Sequence, residues 1–302
     1  MTPHDHVQPF QLERPNLRGR MVRLSGELDS IIARHDYPQP VAVLLAETLT
    51  LAVLLAGMLK YEGIFTLQAK GSGAVRTLVA DITTEGAMRA YAQFDESKLA
   101  DLGKNPSARE LLGEGHIAFT VDQGEGTERY QGLVELQGET LTDFIHHYFR
   151  QSEQIDTALV IAARHTPLTG WLAGGIMLQR LPEQSARVGT DVEDGWRRAM
   201  MLMSTATPDE LTSPQLSAND LLYRLFHEEE VRVFEPHVLN DRCRCSRERV
   251  EGVMKALSSE DVADLTADGP AEVRCEFCSR TYLFTADQLA RLRGTDDAGT
   301  VH

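Results

Sequence analysis

Cysteine is scarce in this chain of 302 residues, and the first 242 residues have none. That absence excludes a disulfide framework over most of the chain and leaves no competing thiol there. Positive charge is also short. Thirty Lys and Arg stand against 45 Asp and Glu, a net charge of −15 that argues against a broad nucleic-acid surface. There is no Gly-rich phosphate loop and no Gly-x-Ser-x-Gly nucleophile elbow, and Gly71-Ser72-Gly73 reads as a turn. A nucleotide-phosphate site and a serine-nucleophile site are therefore not expected. The opening MTPHDHVQPFQLERP has no basic n-region, apolar h-region or small-residue cleavage site, so a cytoplasmic setting with reduced thiols is expected.

Long apolar runs are equally rare. The exception, Val41 to Leu59, is 19 residues long and could span a bilayer. Glu47, Thr48 and Thr50 lie inside it, and a mid-bilayer carboxylate is costly. A buried helix is the expectation, with no membrane partner.

What the chain does have is concentrated at its end. Cys243 and Cys245 form a Cys-x-Cys pair, Cys275 and Cys278 a Cys-x-x-Cys pair, and 29 residues (246–274) separate them. Two close pairs around a small folded insert suit one tetrahedral Zn2+ per chain in the reduced form, held by four thiolates. Four cysteines also permit three disulfide pairings, which a reducing compartment disfavours. Cysteines two apart on a strand share a face, with Cα atoms about 6.5 Å apart, near the upper limit for a disulfide. Six arginines (242, 244, 247, 249, 274 and 280) surround the pairs in sequence. Cations favour thiolates and so reactivity toward peroxide, unless they are solvated neighbours of an inert structural zinc. His237 is a weaker substitute ligand. His146 and His147 have no third ligand at a suitable spacing.

The remaining pattern predicts an α+β protein: an N-terminal α/β sheet domain (1–182), a helical linker (183–240) and a small C-terminal four-cysteine zinc domain (241–302). Strands are expected at 19–24, 64–70, 74–83, 87–94, 115–121, 127–136, 155–163 and 170–180, with a turn at Gly124-Glu125-Gly126 and helices at 28–35 and 140–151. Residues 183–241 hold 12 acidic and 5 basic residues. Thr207-Pro208-Asp209-Glu210 and Ser217-Ala218-Asn219-Asp220 read as helix starts. Leu221, Leu222, Leu225 and Phe226 then fall on one helical face, the expected docking face of the linker. This is either a plain helical extension or a module that docks in one state and leaves in another. In the last segment, Ser246 and Thr285 are expected helix caps.

At this point the chain resembles a known family, the redox-regulated 33 kDa chaperonins of bacteria. The resemblance runs through RGRMVRL (18–24), YQGLVEL (130–136), YFRQSEQ (148–154), AGGIMLQRLP (173–182), RLFHEEEVRVFEP (224–236), CRCSRERV (243–250) and CEFC (275–278). It implies an ATP-independent holdase that binds unfolded or aggregation-prone clients under oxidative and heat stress. It further implies dormancy while reduced and zinc-bound, and activation by two local disulfides, Cys243–Cys245 and Cys275–Cys278. Zinc release, an unfolded linker, an exposed client surface and a homodimer in the oxidised form would follow. Residues before Phe10 look like an added tail. Two other classes remain open on the residues alone, a zinc-ribbon nucleic-acid or ribosome binder and a thiol oxidoreductase.

Overall fold

A computed structural model describes residues 5–57, 62–124, 129–150, 156–180 and 191–294. The chain forms two compact units, Met1–Arg242 and Cys243–His302. The expected boundary at Pro182 lies outside the described residues, as do Met58 and Leu59, Glu125 and Gly126, Thr127, and Gln151 to Ile155.

In the first unit, β1 (His6–Leu12) and β2 (Leu17–Leu24) are followed by α1 (Gly26–Ile32) and the long α2 (Gln39–Ala56). A meander comes next: β3 (Ile64–Gly71), β4 (Val75–Thr83) and β5 (Ala87–Phe94). Two short helices, α3 (Glu96–Ala100) and α4 (Ala108–Leu112), lead to β6 (Gly115–Asp122), β7 (Tyr130–Glu135) and α5 (Leu141–Tyr148). The strands β8 (Thr157–Thr166) and β9 (Gly170–Arg180) follow. Three helices then come in sequence: α6 (Asp191–Ser204), α7 (Pro208–Leu211) and α8 (Ala218–Phe226). Short strands β10 (Val231–Val233), β11 (His237–Val238) and β12 (Asn240–Asp241) complete the unit.

Two sheets result. The first has the order β10-β1-β2-β9-β8, with β11 also on β1, and all its pairings are antiparallel. The second has the order β12-β5-β4-β3-β6-β7, parallel only where β12 joins β5. Between them runs α2. Its apolar residues occur on all sides, which suits a helix with no solvent face. Leu45 and Leu49 share one buried cluster with Val22 and Met177 of the first sheet and Phe65, Leu67 and Leu78 of the second. The Thr48 and Thr50 hydroxyls donate to the carbonyls of Leu44 (2.7 Å) and Ala46 (2.8 Å), so neither needs a partner outside the helix. This 18-residue helix has a mean hydropathy of 1.8, enough to cross a membrane by length and composition, yet 78% of it is buried inside the fold. The expected buried helix is thus what the sheets enclose.

The opposite face of the first sheet carries the linker helices. Strand periodicity sends Phe10 and Leu12 of β1, Leu17 and Met21 of β2, and Ile176 and Leu178 of β9 to this side. They pack with Trp196 and Met203 of α6, Leu211 of α7 and the apolar face of α8. Gly174 makes the approach of α7 possible, since a Cβ there would stand 2.0 Å from the Leu211 carbonyl oxygen.

Two expectations are corrected. The residues before Phe10 are not a loose tail. Asp5, His6 and Gln8 are buried, and His6–Leu12 is a strand paired on both edges. Pro9 is tolerated because its missing N–H falls between the β10 and β11 pairings, where its carbonyl accepts from Phe234 N at 3.0 Å. The linker is helical only as far as residue 229, where a 3-10 turn (His227–Glu229) follows α8. Beyond Glu230, held in the left-handed region at φ 56°, it turns extended and adds β10 and β11 to β1 and β12 to β5.

The second unit contains α9 (Arg247–Lys255), α10 (Ser259–Thr266), the hairpin β13 (Ala271–Arg274) and β14 (Thr281–Phe284), and α11 (Ala286–Gly294). Ser246 caps α9 as expected, and Ser258 and Asp261 form a capping box on α10. Met254, Ala271, Tyr282, Phe284 and Leu289 are its buried apolar cluster among the described residues, a thin core for some 60 residues.

One buried group gives a test of the packing of α2. Burial raises the Glu47 pKa from 4.5 to about 7. A raised carboxyl pKa means the folded state holds its proton longer than the unfolded state. Its contribution is therefore most favourable below pH 4.5 and is lost as pH rises through 7. Glu47→Gln should stabilise the protein by about 1–3 kcal/mol at pH 8. The gain should vanish at pH 4. Urea titrations at the two pH values check this.

Candidate metal centre

Local geometry brings the two cysteine pairs together within the second unit. Cys243 and Cys245 lie on extended chain that ends at the Ser246 cap of α9, where the Ser246 side chain accepts from Arg249 N. Cys275 and Cys278 form the turn of the β13–β14 hairpin. Cys275 N donates to the Arg280 carbonyl (2.9 Å) and Ser279 N to the Cys275 carbonyl (2.8 Å), closing a tight knuckle with Ser279 at φ 57°. All four Sγ atoms fall within 4.8 Å of one another. Cys243 and Cys275 are 3.7 Å apart, and Cys245 and Cys278 are 3.3 Å apart. A tetrahedron with metal–sulfur bonds of about 2.3 Å has edges of about 3.8 Å, so the cluster is near the size of a four-thiolate metal site.

The electrostatics point the same way. Burial pushes the Cys278 thiol up to about 12, and neighbouring sulfurs add to the rise against a backbone donor at Arg280. Burial also raises Cys275. Cys245 moves down to about 7. Burial opposes this, but hydrogen bonds from the Tyr282 hydroxyl and the surrounding thiols outweigh it. Without a cation the quartet thus ionises first at one sulfur, with the others as donors. Holding all four as thiolates requires a positive ion at their centre.

Tyr282 is the part of the site that the cysteine pattern did not reveal. Its hydroxyl donates to Cys245 Sγ at 3.2 Å from a buried position on β14, opposite Val273. The alternation of Thr281 to Phe284 is a legible signal for an inward Tyr282, but the cysteine it would meet is 37 residues away in sequence. Arg280 is set beside the cluster and its pKa is raised, first through its hydrogen bond with Tyr282 and then by the charges of Tyr282, Cys245 and Cys278. Other arginines are engaged elsewhere. Arg247 lies over the Phe284 ring at 4.5 Å and pairs with Glu251 at 3.1 Å. Arg249 donates to the Arg244 carbonyl at 3.0 Å. His237 belongs to β11, paired with Val7, and is not part of the cluster.

The expected docking face is buried within the first unit. Leu221, Leu222, Leu225 and Phe226 are all covered, and the Phe226 ring stacks on Phe10 with centroids 5.8 Å apart. Several acidic groups of the segment are paired: Glu229, 2% exposed, takes two bonds from Arg198, and Glu210 meets Arg224 at 2.8 Å. Asp209 meets Arg164 of β8 at 2.6 Å.

The two-sheet body and the four-thiol cluster define a mixed α+β protein with a centre fit for a metal ion. The chain belongs to the Hsp33 family, a family of chaperones, whose model it matches over residues 5–285. It is 42% identical over 286 residues to a 33 kDa chaperonin of Caulobacter vibrioides, covering 92% of this chain and 94% of that protein. A 33 kDa chaperonin of Escherichia coli is 37% identical over 295 residues, covering 97% and 96%. Its fold is shared with the crystal structure of a 33 kDa chaperonin of Thermotoga maritima, at a TM-score of 0.81, 21% identity, and coverage of 98% and 99% of the two chains.

Tyr282→Phe removes one donor without changing ring packing. It should weaken metal binding about tenfold, as loss of an outer-sphere partner does. Competition with a chromogenic chelator measures this, and Cys245 alkylation should shift to higher pH in the metal-free variant.

Proposed function

We propose that this chain is a redox-regulated, ATP-independent holdase of the cytoplasm, dormant when reduced and metal-bound and active toward unfolding proteins when oxidised. The observation that carries the reading is the meeting of the chain's four thiols within 4.8 Å in a unit with little other core. Cys243, Cys245, Cys275 and Cys278 are the proposed ligands of one Zn2+. Zinc would keep the four sulfurs as thiolates and supply much of the folding energy of the C-terminal unit. Tyr282 orients Cys245, and Arg280 offsets part of the net charge of −2 that four thiolates around Zn2+ carry.

Oxidation follows ordinary thiol chemistry. A thiolate attacks one peroxide oxygen, giving a sulfenic acid and hydroxide. A second thiol displaces water from the sulfenic acid and closes the disulfide. Two disulfides consume two peroxides and all four ligands, so the metal leaves. In the folded cluster the sulfurs of opposite pairs are as close as 3.3 Å, so folded proximity alone does not select local partners. Opening of the unit as the metal leaves would let chain entropy choose the partners. In an open chain, loops of two or three residues are favoured over a loop of some thirty by about 2 kcal/mol. Cys243–Cys245 and Cys275–Cys278 are the proposed products.

The segment 183–240 is the proposed linker between an N-terminal domain (1–182) and the redox unit (241–302). Its Leu221, Leu222, Leu225 and Phe226 face contributes ~1.5–3 kcal/mol per side chain when buried, offset by the ordering of a long acidic segment. Loss of the folded C-terminal unit would tip that balance, free the linker and uncover an apolar sheet face for clients. A homodimer forms in the oxidised state under this reading, which light scattering of oxidised and reduced protein tests.

Three outcomes are expected. Metal analysis in reducing buffer should give one zinc per chain, lost in the Cys275→Ser/Cys278→Ser double variant. Peptide mapping after peroxide should show local disulfides, and a majority of bridges between the pairs would refute the mechanism. Leu222→Glu or Phe226→Glu should suppress aggregation of a thermally unfolding client without peroxide while keeping its zinc. A reduced variant with normal linker protection in hydrogen exchange and no activity until oxidised would overturn the coupling.

A further inference from the structure

A cavity of about 320 Å³ lies where the turn between α7 and α8 crosses the first sheet. Its polar lining includes His6, Arg23, Ser25, Ser213, Gln215 and Ser217, and among the described residues no carboxylate lines it. Arg23 occupies an unusual position. Strand periodicity puts it on the same side of β2 as Leu17 and Met21, the side covered by the linker helices. It is only 8% exposed. Its Nη1 donates to the Ser213 carbonyl at 2.7 Å, while Nε and Nη2 have no partner among the described residues. His6, 3% exposed, sits beside it in register on β1. The nearest strand-end carboxylate, Asp5, accepts from Ser25 and Glu27 and does not line the cavity.

A buried guanidinium with two open N–H groups and no counter-ion is costly unless something anionic completes it. Burial brings the Arg23 pKa down only to about 10, so it remains charged at neutral pH. The cavity wall also includes Ser217 and Ala218, the cap and first residue of the nine-residue α8, so the positive end of that helix adjoins the same space. We propose that this cavity binds a small phosphate-type oxyanion, held by the Arg23 fork between the first sheet and the 212–218 turn. A planar guanidinium offers two parallel donors to a phosphate, and the volume leaves room for a small organic group beyond it. Because the walls come from both β1–β2 and the α7–α8 turn, bound anion favours the form in which the turn is docked. The site does not depend on the redox reading.

The test uses reduced full-length protein, with sodium phosphate titrated calorimetrically at ionic strength held constant with sodium chloride. One saturable site per chain is expected, weakened about tenfold or more in Arg23→Met. Gln215→Glu, a change at the exposed rim that supplies an internal carboxylate, should weaken phosphate to a similar degree while leaving Arg23 and its Ser213 contact in place. Glycerol 3-phosphate distinguishes the sources: tighter binding than inorganic phosphate supports a phosphorylated metabolite, weaker binding supports free phosphate. In hydrogen exchange, phosphate should slow amides of 212–226 in the wild type and not in Gln215→Glu. No saturable binding by the wild type, acetate binding equal to phosphate, unchanged affinity in both variants, or binding without protection of 212–226 would each overturn the proposal.

Discussion

The first sheet has two apolar faces, and the rest of the N-terminal unit is organised by the need to cover both. Val22, Leu159 and Met177 meet α2, which is itself enclosed by the second sheet. Phe10, Met21, Ile176 and Leu178 face the other way and have no second sheet to meet. The chain covers them with its own later segment, α6 to α8. A sheet face left open at this size would be a large exposed apolar patch, the kind of surface that captures other proteins. In this fold the cover is made of short helices joined by turns.

The C-terminal unit meets the opposite problem. Its buried apolar cluster is small, and its hairpin turn is built around sulfur. Burial raises the Cys275 and Cys278 thiols above the ordinary range, so without a cation these two sulfurs keep their protons at neutral pH. A central cation changes that, because four mutually repelling thiolates become four ligands. With such a cation bound, a unit with this small a core would depend on its sulfurs for stability more than a large hydrophobic core would.

Much of this was legible in the sequence, and the exceptions have physical causes. The Cys-x-Cys and Cys-x-x-Cys spacing identified the four residues that converge, because nothing else in the chain competes for that chemistry. The buried α2 was readable from its unbroken apolar run, the hairpin at Gly71 to Gly73 from strand patterns on either side of a glycine turn, and the α8 face from its period and Ser217 cap. β1 was not, since its inward positions include His6 and Gln8, which satisfy the alternation in space but not in hydrophobicity. The strands after Glu230 were hidden for another reason: two or three residues are too few to show a period, and they exist by pairing with β1 and β5. The link from Tyr282 to Cys245, like those from Arg198 to Glu229 and from Arg23 to Ser213, joins residues far apart in the chain, and no local pattern encodes it.

The two faces of the first sheet also differ in how their polar groups are satisfied. Against α2, the Thr48 and Thr50 hydroxyls bond within their own helix and need no partner in the sheets. On the outer face polar contacts cross the layer boundary: Arg23 to Ser213 and Arg164 to Asp209. Such bonds contribute only about 0.5–1.5 kcal/mol each, since water replaces them when the layers part. The apolar contacts on both faces resist separation, but the outer layer can exchange much of its remaining adhesion for hydration. The two faces of the sheet therefore differ in where their polar groups find partners, within one helix on the inner face and between sheet and helices on the outer face.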